Sequence, residues 1–172
     1  VIRLIVALLL LVASVPTALA QSFETLPRGN LTPGVIRDSL TISKICRTKW
    51  GSDARKVTKA MKNQVMQAYG FDIKTCPYTV YKGKRAHRVE IDHLIPRSLG
   101  GADDVRNLWP ECYEPVMKDK SQQANGAHKK DRLETYLHRK VCHPQSAALF
   151  KQYQNAIAAN WLLLYWSIYG NN

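Results

Sequence analysis

The chain has 172 residues, with 25 Lys+Arg against 13 Asp+Glu and a formal charge of +12. That length suits one ordinary domain with a real core, and 45% apolar with 22% charged residues excludes a disordered tail. After residue 20 no stretch offers about 20 uncharged apolar residues, which excludes a multi-pass membrane protein. The positive excess favours an anionic partner, either nucleic acid or a less specific acidic surface.

Residues 1–20 read as a signal peptide: Arg3 is a minimal positive region, Leu4 to Val12 an apolar core, and Ala18-Leu19-Ala20 a small-x-small cleavage site. The apolar core is shorter than a membrane span needs, so cleavage is expected rather than an uncleaved anchor. The exported chain would start at Gln21 and form a single domain over 21–172, periplasmic or secreted, with no stable membrane association. In an exported protein the even set Cys46, Cys76, Cys112 and Cys142 favours two disulfides. No C-x-x-C pair occurs, so the usual structural zinc spacing is missing, and spacing leaves all three pairings open.

Gln21 to Thr41, with Pro27, Gly29, Pro33 and Gly34, reads as an irregular lead-in. Ser52 or Asp53 can cap a helix ending near Gly70, with Val57, Ala60, Met61, Val65 and Ala68 inward. Arg55, Lys56, Lys59 and Lys62 make its other face, either a phosphate contact or a solvated stripe. Tyr78 to Tyr81 and Arg88 to Ile91 read as strands joined by Lys82-Gly83-Lys84. A loop follows from Ile91 to Asn107, then a brief strand at Leu108-Trp109 that Pro110 stops, and a polar excursion from Glu111 to Gly126. Ala127 to Val141 is an amphipathic helix with Leu133, Tyr136, Leu137 and Val141 inward. Ser146 caps a last helix whose stripe Leu149, Phe150, Tyr153, Ile157, Trp161, Leu164 and Ile168 reads as core. The expected class is α+β, a small β-hairpin and ββα finger within a mostly helical domain.

The chemistry lies in His87 to Gly101 and Asn107-Leu108-Trp109-Pro110. Asp92 and His93 set a carboxylate beside an imidazole where a strand enters a loop. Adjacent strand residues face opposite ways, but at a strand end the chain can turn to aim both at one pocket. Asp92 offers a hard oxygen ligand to a divalent cation, and His93 can take a proton near neutral pH. Glu90 points either into the site or into solvent, and His87, His138 and His143 read as surface groups.

With Pro96, the Gly100-Gly101 turn and Asn107-Leu108, this stretch resembles the HNH endonucleases, whose strand–strand–helix metal finger carries Asp-His or His-His on its first strand. It is most similar to exported HNH-type proteins in which I-C-x-x-x-W precedes D-H-L-I-P, G-G, N-L-W-P and A-H-K-K-D-R-L-E. Those pieces are Ile45-Cys46 with Trp50, Asp92 to Pro96, Gly100-Gly101, Asn107 to Pro110 and Ala127 to Glu134, so the likeness covers about residues 42 to 142. The resemblance implies a ββα-metal core over about 86–142, with Asp92 as metal ligand, His93 as general base and Asn107 as brace of the base-bearing loop. His128 matches the helix ligand, although an insertion across Glu111 to Gly126 leaves Asn125 as a rival. The candidates to grip phosphate are Arg97, which is otherwise a surface loop residue, and Lys129 and Lys130. The resemblance also implies the pairing Cys46–Cys142, which leaves Cys76–Cys112.

The expected activity is that of an exported endonuclease with one divalent ion, Mg²⁺ ahead of Mn²⁺, Ni²⁺ or Zn²⁺, acting on DNA, or on RNA, with little sequence selectivity. Water would lose its proton to His93 while the ion neutralises charge building on the phosphate. Two other readings stand beside it: a non-catalytic nucleic-acid-binding module of the same fold, and a secreted toxin-like nuclease effector. Oligomeric state is not legible.

Overall fold

The computed structural model describes residues 26–49, 53–115 and 125–170. The signal-peptide segment, Gln21, Trp50 and Ser52 lie outside these residues, as does most of the excursion after Glu111. Among the described residues, four α-helices and two two-stranded antiparallel sheets make an α+β fold. In chain order they are α1 (Ile42–Arg47), α2 (Lys59–Tyr69), β1 (Tyr78–Tyr81), β2 (Lys84–His87), β3 (Val89–His93), β4 (Leu108–Cys112), α3 (Ala127–Cys142) and α4 (Ala147–Tyr169).

Helix α2 starts later than its sequence suggests. Thr58, not Asp53, caps it by accepting a hydrogen bond from the Met61 amide, because the Asp53 carboxylate is drawn instead to the guanidinium groups of Arg37 and Arg97. Arg55 and Lys56 therefore precede the helix, and the expected four-residue basic face does not form. Ala60 and Ala68 are exposed, while Val65 and Tyr69 are the buried residues of α2. At its far end Gly70 takes the left-handed conformation and stops the helix.

The strands also differ from the expected pairing. Lys82 and Gly83 both have positive φ, which makes a two-residue turn whose twist matches the strands on either side. That turn pairs Tyr81 with Lys84 and Tyr78 with His87, so the partner of β1 is Lys84–His87. The next run, Val89 to His93, pairs with β4 instead, in the register Glu90↔Glu111, Asp92↔Trp109 and His93↔Leu108. β4 runs through Pro110 to Cys112, because a two-stranded sheet has only edge strands, where proline is tolerated.

A single hydrophobic cluster joins Val65 and Tyr69 of α2, Leu94, Ile95 and Leu99 of the loop after β3, Leu108 and Trp109 of β4, Leu133, Leu137 and Val141 of α3, and Ile157, Trp161 and Tyr165 of α4. The lead-in packs onto it: the buried Thr32 hydroxyl donates to the Leu108 carbonyl, 2.9 Å away. Helix α4 is kinked at Asn160, which leaves helical geometry and caps the second half by accepting from the Leu163 amide. In that half Trp161 and Tyr165 are buried, and Leu164 and Ile168 only partly so. The disulfides are Cys46–Cys142, tying α1 to the end of α3, and Cys76–Cys112, tying the approach to β1 to the end of β4. This is the pairing that the resemblance implies. Disulfides of this kind belong to an oxidising compartment. Among the described residues no helix is long and apolar enough to cross a membrane.

Candidate metal centre and histidine loop

Buried side chains hold the loop between β3 and β4 from inside: Gln154 donates to the Leu99 carbonyl at 2.8 Å, and Asn107 makes the other contacts. Asn107 is fully buried; its Oδ1 accepts from the Ile95 amide at 2.9 Å, and its Nδ2 donates to the carbonyls of Ile95 and Ala102 at 3.0 and 3.1 Å. A backbone segment that turns inside a protein must find partners for its polar groups, and Asn107 supplies them on both sides of the loop. Gly101 completes the closure, since a Cβ there would stand 1.7 Å from the Ile95 carbonyl oxygen.

His93 closes β3 and is buried. Its Nε2 lies 2.8 Å from Asp103 Oδ1, and Asp103 Oδ2 accepts from Arg97 Nη1 and from the Lys56 amide, each at 2.7 Å. Arg97 continues the chain of charges to Asp53 at 2.6 Å. Burial, the largest influence, pushes the His93 imidazole below its usual pKa against the opposing pull of Asp103 and Asp92. Burial alone would raise Asp103, but the Lys56 amide, His93 and Arg97 outweigh it and hold that carboxyl below its usual range. An ionised Asp103 only accepts, so Nε2 carries the hydrogen and the free lone pair of a neutral imidazole falls on Nδ1.

The other side of β3 and β4 is acidic. Glu90 and Asp92 are two apart on one strand, and Glu111 stands opposite Glu90, so the pleat turns all three to the same face. Their carboxylates can bring one oxygen each within 4.8 Å of the others. Glu90 accepts from the Tyr113 hydroxyl at 2.6 Å. Glu111 is 1% exposed and neither of its oxygens has a hydrogen-bond partner. Its carboxyl abuts that of Asp92, and two carboxylates can bond only through a proton or a cation between them. Burial raises Glu111 far above the usual carboxylate range.

Lys130 of α3 answers part of this charge. It is 1% exposed, and its Nζ donates to Asp92 Oδ2 and Glu134 Oε1 at 2.5 Å each and to the His93 carbonyl at 2.7 Å. Burial would raise Asp92, but the Lys130 ammonium holds its carboxyl below the usual range, while burial pushes Glu134 up to about 8. One ammonium thus faces five carboxylates, those of Glu90, Asp92, Glu111, Asp131 and Glu134. The group Glu90, Asp92 and Glu111 could hold a metal ion: three hard oxygen donors on a pair of strands, with the Glu111 carboxyl buried against Asp92.

Of the residues singled out from sequence, Asp92, His93 and Asn107 lie together at the end of β3. His128 does not join Asp92. Two residues apart on a helix point to different sides, and Lys130 is the one facing Asp92. His128 is 67% exposed, with Nδ1 bonded to Glu114 at 2.7 Å. Asn125 accepts from Lys129 Nζ. The phosphate-gripping set changes as well: Lys130 is buried among acids, Arg97 is spent on Asp53 and Asp103, and Lys129 Nζ sits over the Trp166 ring at 3.9 Å.

Sequence reasoning missed Glu111 because it ended the strand at Pro110; continued alternation past Trp109 would have set it beside Glu90 and Asp92. The i, i+4 spacing of Lys130 and Glu134 was also readable, but nothing in sequence ties Asp103 to His93. In comparisons with known proteins, no family model, no curated protein and no solved structure matches this chain.

Proposed function

We propose that this protein is an exported, metal-dependent endonuclease of the HNH type, with β3, β4 and α3 as its ββα finger, hydrolysing phosphodiester bonds in DNA with little sequence selectivity. The observation that carries the reading is His93: a buried imidazole whose Nε2 lies 2.8 Å from Asp103, one residue from the acidic face, with burial pulling its pKa below the usual value. A binding module has no use for a polarised base beside a set of hard ligands. A toxin-like effector remains a variant of the same chemistry and is favoured by nothing in the fold.

Each residue has a part in that reaction. His93 Nδ1 accepts the proton of the attacking water, and the Asp103 carboxylate, already bonded to Nε2, stabilises the imidazolium as it forms. Arg97 holds Asp103 in place and ionised, so it acts as a positioning residue. Asn107 fixes the loop that carries the base. Glu90, Asp92 and Glu111 would hold the cation, and their all-oxygen character favours Mg²⁺ or Mn²⁺ over Ni²⁺ or Zn²⁺. A divalent ion supplies neutralisation of the charge that builds on the phosphoryl and leaving oxygens. The formal charge of +12 supports a backbone-dominated, sequence-tolerant footprint.

The test is incubation of the disulfide-bonded protein with supercoiled plasmid and with RNA, in EDTA and in Mg²⁺, Mn²⁺, Ni²⁺ or Zn²⁺. Nicking that needs an added ion and is lost in His93→Ala is the expected result. A parent protein that cuts neither polymer under any ion overturns the proposal.

A further inference from the structure

The two faces of the site meet at the outer edge of β3. The Leu94 amide donates to the Asn107 carbonyl at 2.8 Å and the Tyr113 amide to the Arg88 carbonyl at 3.2 Å, so the even-numbered residues of this run are the ones that bond β4. Val89, Ile91 and His93 turn their backbone groups the other way, and Pro110, which has no N–H to give, stands opposite Ile91. The His93 side chain leaves one face of the strand, and Glu90 and Asp92 leave the other. β4 closes one edge between those faces. A phosphate within reach of both the imidazole and an ion on the acids therefore lies along the outer edge.

Two cations stand on that edge. Lys130 Nζ donates to the His93 carbonyl, and Arg55 Nη2 donates to the Ile91 carbonyl. Outward carbonyls two residues apart lie about 6.8 Å from each other along a strand. Lys130 is buried, and Asp92 and Glu134 take its charge. Arg55 is exposed, and among the described residues no carboxylate pairs with it. Its neighbours fix its place: Asp53 is held by Arg37 at 2.8 Å and Arg97 at 2.6 Å, and the Lys56 amide donates to Asp103 at 2.7 Å. Residues 53–56 are thus pinned by the same charges that hold His93, close enough for the Arg55 guanidinium to act on that imidazole.

We propose that Arg55 grips the phosphate being cut, reaching it from the outer edge of β3 between His93 and the acidic face. This deepens the nuclease reading and rests on it for the phosphodiester as ligand. The bond to Ile91 uses one nitrogen of the guanidinium, whose remaining N–H groups form a planar fork suited to the two non-bridging oxygens of a phosphate. Such a contact touches the backbone alone, so it serves every base sequence alike. Arg55 takes the part expected of Arg97, Lys129 and Lys130, which the fold spends on Asp53 and Asp103, on Trp166 and on the acidic face.

The test joins binding and cutting in the disulfide-bonded protein. In EDTA, apart from any cleavage, affinity for a labelled DNA duplex is followed by fluorescence anisotropy over a salt series. Arg55→Ala should make the plot of log affinity against log salt shallower by about 0.9, the loss of one phosphate contact. In Mg²⁺ its kcat/KM for plasmid nicking should fall about 10²- to 10³-fold, with the Mg²⁺-induced rise in Tm unchanged. Arg55→Lys keeps a donor for the Ile91 carbonyl but not the planar fork, so it should restore the salt slope and recover only part of the nicking. Lys59→Ala, which removes an exposed cation at the start of α2, should nick like the parent. An unchanged salt slope in Arg55→Ala overturns the proposal, whatever its nicking. So does a lowered Tm in EDTA that Arg55→Lys restores together with full nicking, because Arg55 would then only prop the Ile91 carbonyl. A parent that nicks while Arg55→Ala keeps the parent's slope and rate overturns this proposal alone. A parent that cuts neither polymer overturns the nuclease reading, and a slope still reduced in Arg55→Ala then leaves Arg55 as a phosphate contact.

Discussion

Replacing Glu111 by Gln separates the cost of the acidic face from its use. In the metal-free protein both Glu111 oxygens are buried without a partner, against the carboxyls of Asp92 and Glu90. The folded state therefore holds a proton on Glu111 well above the pH at which the unfolded chain releases it. For a group raised in this way, the stabilising contribution is fully present below the unfolded pKa and is lost as pH rises through the folded one. The same sign holds for Glu134, pushed up to about 8, so metal-free stability should fall as pH rises from about 5 to about 8. Gln keeps the shape, removes the charge and gives Asp92 a donor. Near pH 8 it should therefore stabilise the metal-free protein by about 1–3 kcal/mol, or about 3–10 °C in Tm for a chain of this size. With Mg²⁺ the order should reverse, because the parent gains stability by binding the ion and the variant has lost one of three ligands. Thermal melts in EDTA and in Mg²⁺ across this pH range measure both effects. A variant less stable than the parent in EDTA near pH 8, with an undiminished Mg²⁺ shift, would refute the reasoning.

Four further outcomes follow from the same contacts. Asn107→Ala leaves the Ile95 amide and carbonyl without their side-chain partner inside the fold, and should cost about 2–4 kcal/mol in urea denaturation. His93→Ala should lose about 10²- to 10⁴-fold in plasmid nicking yet keep the Mg²⁺-induced rise in Tm, since the acidic face is intact. His128→Ala should nick DNA like the parent, because its ring faces Glu114 rather than Asp92; a large loss would return the helix ligand to His128. Lys130→Met removes the ammonium between Asp92 and Glu134, and should destabilise the metal-free protein by about 3–5 kcal/mol in the same melts.

Much of the local structure was legible because it depends on neighbours in sequence. The apolar spacing of Leu133, Leu137 and Val141 gave α3, Ser146 gave the start of α4, and the Asp92-His93 pair with Asn107 marked the loop that the fold closes. The left-handed turn at Lys82-Gly83 is legible as a turn, but its two-residue length, which starts the second strand of the hairpin at Lys84, is not. Thr58 displaced Asp53 as a cap because Arg37 and Arg97, distant in sequence, compete for the Asp53 carboxylate.

The sequence by itself determined α3, the start of α4 and the stretch in which the chemistry-bearing residues cluster, because helix period, capping and turn residues are local properties. Tertiary structure alone decided which charges meet. The β3–β4 register set Glu111 opposite Glu90, the rotation of α3 turned Lys130 rather than His128 toward Asp92, and closure of the loop brought Asp103 to His93. Residues that chemistry would judge alike, such as Lys129 and Lys130 or His128 and His93, differ in burial and in the partners they meet, which residue type alone does not fix.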